Sequence, residues 1–162
     1  MRSNGTISIR VATEEDAALV LRFIRDIAAF EKLSHEVAAT EETLRESLFG
    51  KEPAAEVAIA EVAGAPVGFV VYFENFSTFV GRAGLYVEDL FVSPEHRGTG
   101  VGKALLKHCA AVAVERRLGR MEWAVLEWNP ARKFYERFGA KPMSDWIVYR
   151  LAGETLKELA QS

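Results

Sequence analysis

A glycine-spaced turn, Arg97-Gly98-Thr99-Gly100-Val101-Gly102-Lys103, lies between two segments of different periodicity and restricts what this chain can become. Before it, Leu85 to Val92 reads LYVEDLFV, an apolar, β-branched and aromatic run suited to a buried strand. After it, ALLKHCAAVAVERR places its apolar residues at helical spacing. Glycines let successive backbone N–H groups converge on one concavity, and the first turn of the following helix adds unpaired amides and the positive end of its dipole. Strand, glycine turn and helix together predict a cradle for phosphate.

Other glycine-rich phosphate loops require different spacings. A Gly-x-x-x-x-Gly-Lys-Ser/Thr loop fails because Arg97 stands where its first glycine belongs and Ala104 follows Lys103. The dinucleotide pattern Gly-x-Gly-x-x-Gly fails because position 103 is lysine. What remains is Arg-Gly-x-Gly-x-Gly between a strand and a helix, and in this the sequence resembles the GNAT acyltransferase superfamily. The resemblance implies that the amides of Arg97, Gly98, Thr99, Gly100, Val101, Gly102 and Lys103 hold the pyrophosphate of acetyl-CoA.

The 162 residues are 49% hydrophobic, which suits one α/β domain spanning residues 1–162 with a single core. A formal net charge of −3 with interspersed signs gives no general attraction to nucleic acid or to an anionic membrane, and mildly favours a cationic substrate. Apolar runs are interrupted well before the roughly 18 residues a membrane span needs, and the start lacks a signal-like segment, so a cytoplasmic protein is expected. The lone Cys109 sits within an apolar helical run and reads as a buried thiol. With no second ligand at suitable spacing from His96 or His108, no metal site is expected.

Taken in order, residues 1 to 6 read as a loose tail and Ile7 to Val11 as a short edge strand. A helix capped at Thr13 should run to Phe30 or Glu31, and a second from about Thr40 to Gly50. Glu56 to Val62 and Pro66 to Phe73 form an antiparallel pair across a glycine-containing connection, followed by a polar and aromatic loop from Glu74 to Gly84. The periodicity then predicts a helix over about 100–117, a strand over 120–126, a short helix over about 130–138, a last strand near Trp146 to Leu151 and a terminal helix. This is a mixed α/β layer architecture.

That order is similar to the GNAT order along almost the whole chain. The nearest likeness is to diamine (spermidine/spermine) N-acetyltransferase-like members, through IRVATEEDA, LYVEDLFV, RGTGVG, AVLEWNPARKFYERFGA and Trp146. The resemblance implies a mostly antiparallel sheet split by a V-shaped gap. There Leu90, Phe91 and Val92 pair their backbone with the pantetheine arm, and amides near Val92 polarise the thioester. It also implies a homodimer, often through the last strand.

Acetyl transfer to an amine requires removal of a proton from an ammonium whose pKa is about 10.4, and a proton for the departing thiolate. By resemblance, Glu88 is the base. Tyr135, a phenol protonated at neutral pH in the setting Ala131-x-x-Phe134-Tyr135-x-x-x-Gly139, is the acid. On a regular strand Glu88 shares a face with Tyr86, Leu90 and Val92, and Asp89 with Val87 and Phe91, so only one carboxylate faces the acetyl group unless a bulge intervenes. An ion pair within the sheet is the alternative use of the two acids.

Asn129 matches a cofactor hydrogen-bonding position, although only Pro130 separates it from Ala131 where the family pattern usually has two residues. Phe30 with Glu31, and Asp145 with Trp146, match acidic and aromatic acceptor positions, and Glu88 and Asp89 join them as expected substrate-binding residues; such groups suit a cationic amine. The segment around Thr78 carries one acid, Glu74, where the diamine enzymes carry more. A smaller lysine-like amine such as thialysine therefore stands beside a polyamine as the acceptor. A non-catalytic acyl-CoA sensor, or an enzyme acting on proteins or peptides, is the alternative function.

Overall fold

A computed structural model describes residues 5–162. Most of the tail expected over 1–6 lies outside the described residues; Gly5 and Thr6 have no regular structure. The chain divides into two compact units, the first ending at Ala124 and the second running from Val125 to Ser162.

Alternating apolar residues place β1 at Ile7–Val11, against β2 at Glu56–Val62. Between them, α1 (Ala17–Phe30) and α2 (Glu41–Phe49) lie on one side of the sheet. Both starts are encoded locally. The Thr13 N–H donates to Asp16 Oδ2 at 2.8 Å, and Thr40 Oγ1 accepts from the Thr43 N–H at 3.2 Å. Arg10 reaches across to Asp16 at 2.8 Å and to Glu61 at 2.7 Å, tying β1 to β2 and to the start of α1.

β3 (Ala65–Ser77) and β4 (Arg82–Val92) form a long hairpin antiparallel to β2, and β5 (Met121–Trp123) pairs parallel to β4. The strand order is β1-β2-β3-β4-β5. The segment 74–84, expected as a loop, is mostly strand: Glu74 pairs with Leu85 and Ser77 with Arg82. Its polar residues are tolerated because a ladder satisfies the backbone whatever the side chains are.

Helix α3 (Val101–Glu115) covers the opposite face of the sheet. On its side, Leu85, Val87, Val92, Leu105 and Cys109 form one core cluster; on the other, Val20, Phe23, Ile59, Phe69 and Phe91 form a second. Phe23 is fully buried, worth of order 2 kcal/mol, and its ring centroid lies 5.3 Å from that of Phe69. Because both faces are covered, β2 and β3 read as nearly continuous apolar runs rather than alternating ones.

In the second unit, α4 (Ala131–Glu136) and α5 (Gly153–Gln161) form as expected, α4 shorter than 130–138. The strand expected near Trp146 to Leu151 does not form, and Ile147, Val148 and Tyr149 are exposed. Their β-branched and aromatic character is a strand signal, but a strand exists only where a second backbone supplies its hydrogen bonds. None does so among the described residues.

Candidate active site

β4 places the cofactor-side residues, and its regularity breaks at the two acids. Asp89 pairs with Val71 and Val87 with Tyr72, leaving Glu88 as an extra residue without a partner on β3. This bulge corrects the facing expected from simple alternation. Val87, Leu90 and Val92 all belong to the cluster under α3, whereas Phe91 belongs to the one under α1. Glu88 is exposed, and Asp89 is half-buried.

At the bulge Asp89 lies within the electrostatic reach of Glu88 and Glu31. Burial raises the Asp89 carboxyl from the ordinary value near 3.8 to about 6, with further increments from the charges of Glu88 and Glu31. Burial also raises Glu31. Nearby, burial raises the Tyr86 phenol, helped by the charges of Glu88 and Glu122. The charges of these carboxylates favour a cation among them.

Glu31 follows the last residue of α1, and its backbone is held firmly. The Leu33 N–H donates to Ala28 O at 2.8 Å and the Lys32 N–H to Ala29 O at 3.2 Å, with Lys32 left-handed at φ 60°. This is a Schellman closure carried by lysine where glycine is usual. Phe30, the final residue of α1, is half-buried and lies under the Arg97 guanidinium, 4.8 Å from its carbon to the ring centroid. Such a contact contributes about 0.5–2 kcal/mol.

On the cofactor side, pairing between β4 and β5 ends at Val87 with Trp123, while β4 continues to Val92. From Glu88 onward the β4 edge on that side extends beyond β5, the geometry in which an extended amide-bearing chain adds as a strand. The edge leads into the glycine turn. Gly98 and Gly100 both have positive φ, 75° and 96°, and Gly100 caps α3. The Ala104 N–H closes the first helical turn on Gly100 O at 3.0 Å, so the amides of Val101, Gly102 and Lys103 precede the helical ladder. Thr99 Oγ1 donates to His96 O, closing the turn. The Arg97 side chain instead donates from Nε to Val92 O at 2.9 Å.

Tyr135 lies on α4 in the second unit, half-buried, its ring 5.2 Å from that of Phe134. Asn129 Oδ1 accepts the Ala131 N–H at 2.9 Å, so this side chain caps the entry to α4. Asp145 and Trp146 are exposed in the same unit. Glu74, the one acid near Thr78, is bound to Arg116 at 3.0 Å, where Arg116 also holds Glu56 at 2.7 Å. His108 Nε2 lies 3.2 Å from the Tyr72 hydroxyl, and burial pushes the Cys109 thiol up to about 12, both on the α3 side of the sheet. The stacking of Arg97 on Phe30 and the left-handed Lys32 were not foreseen. Lys32 follows Glu31 without any turn residue beside it, and the stack joins residues far apart in sequence.

Comparison with known proteins accords with this geometry. The model of the acetyltransferase (GNAT) family matches residues 21–140. A thialysine N-epsilon-acetyltransferase of Bos taurus is 38% identical over 166 residues, covering 95% of this chain and 97% of that one. An L-ornithine N5-acetyltransferase of Arabidopsis thaliana is 30% identical over 197 residues, covering 93% of this chain and 86% of that one. Among solved structures, an integron cassette protein from the mobile metagenome of V. cholerae superposes with a TM-score of 0.78 at 30% identity, covering 96% of this chain and 98% of that one. With the glycine turn, the bulged β4 and the β4 edge extending past β5 all present, the chain belongs to the acetyltransferase (GNAT) family and is an N-acetyltransferase.

Proposed function

We propose that this enzyme moves the acetyl group of acetyl-CoA directly onto the side-chain amine of a small lysine-like amino acid such as thialysine. One observation carries the proposal. The β4 edge beyond Val87 leads into a glycine-capped helix N-terminus, and the same strand carries Asp89 in electrostatic contact with Glu31. The backbone of Leu90, Phe91 and Val92 is suited to the pantetheine arm, and the amides from Arg97 to Lys103 to the pyrophosphate. The Asn129 side chain is engaged at the α4 entry, so a cofactor contact there falls to its remaining hydrogen-bonding capacity.

In this reading Phe30, Glu31 and Asp89 receive the cationic amino acid, with Asp145 and Trp146 as further acceptor contacts. Glu88 takes the ammonium proton, directly or through water. The freed amine nitrogen bonds to the acetyl carbonyl carbon, the carbon–sulphur bond breaks, Tyr135 gives its proton to the thiolate, and the second proton left on the new amide nitrogen returns to the Tyr135 phenolate. No acyl-enzyme forms. The 38% identity to a thialysine N-epsilon-acetyltransferase supports the lysine-like acceptor. So does the commitment of Glu74 to Arg116, which removes the one acid near Thr78 from amine binding. A homodimer is part of the proposal, with the exposed Ile147, Val148 and Tyr149 offered to a second copy.

The test is thiol release from acetyl-CoA with thialysine, lysine, ornithine, putrescine, spermidine and an aminoglycoside. Thialysine or lysine should give kcat/KM at least about tenfold above spermidine. Equal or better turnover of spermidine would overturn the lysine-like assignment and leave the reaction class standing.

A further inference from the structure

Resting on the site just proposed, we infer that the Arg97 side chain is a positioning residue, linking the cofactor turn to the acceptor end of α1 rather than binding phosphate. The turn needs the backbone of Arg97, but the side chain leaves it. Nε donates to Val92 O at 2.9 Å, on the last residue of β4, and the guanidinium plane lies over two rings, with Phe30 at 4.8 Å and Phe91 at 5.6 Å.

Each contact has a different owner. Val92 ends the strand proposed to hold the pantetheine arm, and Phe91 is buried in the core under α1, 5.9 Å from Phe23. Phe30 ends α1 and immediately precedes Glu31, whose carboxylate is felt at Asp89. Asp26 and Glu95 line the same open cavity of about 600 Å³, yet the guanidinium is set against a carbonyl and two rings rather than against a carboxylate. A planar cation is suited to this. It donates in its own plane to a carbonyl and offers its face to an aromatic ring, which an ammonium does not do at once.

The consequence is a mechanical link within the first unit. Filling the cofactor turn steadies Arg97, Arg97 steadies Phe30, and the Phe30–Glu31 step is then held for the amine. Acetyl-CoA should therefore improve acceptor binding.

Hydrogen exchange with and without acetyl-CoA tests this without needing the acceptor. In the native protein, acetyl-CoA should slow exchange at the amides of 101–103 and also of 31–33. In Arg97→Met the slowing at 101–103 should persist while that at 31–33 disappears, and with thialysine the amine KM should rise about tenfold with kcat changed less than about threefold. Arg97→Lys, which keeps the charge without the plane, should behave like Arg97→Met, and it carries the test if Arg97→Met does not fold. Native protein protected at 101–103 but not at 31–33 would overturn the link. So would an Arg97 variant that loses protection at 101–103, which would make the side chain a phosphate ligand. Absence of protection at 101–103 in the native protein would instead remove the cofactor site itself, and the link with it.

Discussion

Asp89 pairs with Val71 across the hairpin of β3 and β4, and the next pair is Val87 with Tyr72, so the chain spends one unpaired residue, Glu88, at the point where β4 outruns β5. At this bulge the two adjacent carboxyls differ in burial, Glu88 exposed and Asp89 half-buried.

The difference should be visible in stability against pH. Asp89 has its carboxyl raised to about 6 by burial and by the charges of Glu88 and Glu31, so between about pH 4 and 6 the folded protein holds a proton that the unfolded chain releases. The stabilisation from that proton is complete below pH 4 and is lost as the pH rises through 6. Asp89→Asn should therefore raise the melting temperature at pH 8, by an amount equivalent to at most about 2–3 kcal/mol, and lose that advantage at pH 4. An advantage of the same size at both pH values would show that charge at Asp89 is not responsible.

Glu88→Gln keeps the bulge and removes the exposed carboxylate. Turnover of the preferred amine at pH 7 should fall by roughly 10²-fold, and raising the pH, which deprotonates part of the amine in solution, should recover some of the loss. A pH profile parallel to that of the native enzyme would assign the base elsewhere, with Asp89 the next residue to test.

Gly100 sits at φ 96°, where a branched side chain is strained, and its backbone forms the turn ahead of α3. Gly100→Val should weaken acetyl-CoA binding by about tenfold or more in calorimetry, and the protein should also melt lower. Full cofactor affinity would remove the glycine turn from the phosphate site.

Tyr135→Phe retains the ring packing on Phe134 and removes the phenolic proton. Single-turnover transfer should slow by roughly 10² to 10⁴ with acetyl-CoA affinity almost unchanged. Replacement of acetyl-CoA by a thioester with a more acidic leaving thiol should narrow the gap. Equal rates in Tyr135→Phe and the native enzyme would exclude the hydroxyl from the mechanism.

Local sequence determined the elements whose signals are themselves local. Thr40 at the N-cap of α2, the 3.6-residue spacing of Ala17 to Phe30, the β-branched run of Glu56 to Val62 and the Gly98–Gly100 turn each express preferences settled within a few residues, and each appears where the residues indicate. Tertiary structure decided everything that needs a second partner. Trp146 to Leu151 has the composition of a strand but finds no backbone to pair with among the described residues, whereas the more polar Glu74 to Ser77 is a strand because β4 lies opposite it. The bulge at Glu88 depends on the register with Val71 and Tyr72, and the raised carboxyl of Asp89 on burial and the charge of Glu31. The stacking of Arg97 on Phe30 joins residues that meet only after α1 packs against the end of β4. Hydrogen-bond ladders, desolvation and stacking act across space between residues distant in the chain, so a linear pattern names the participants and the packed molecule assigns their neighbours.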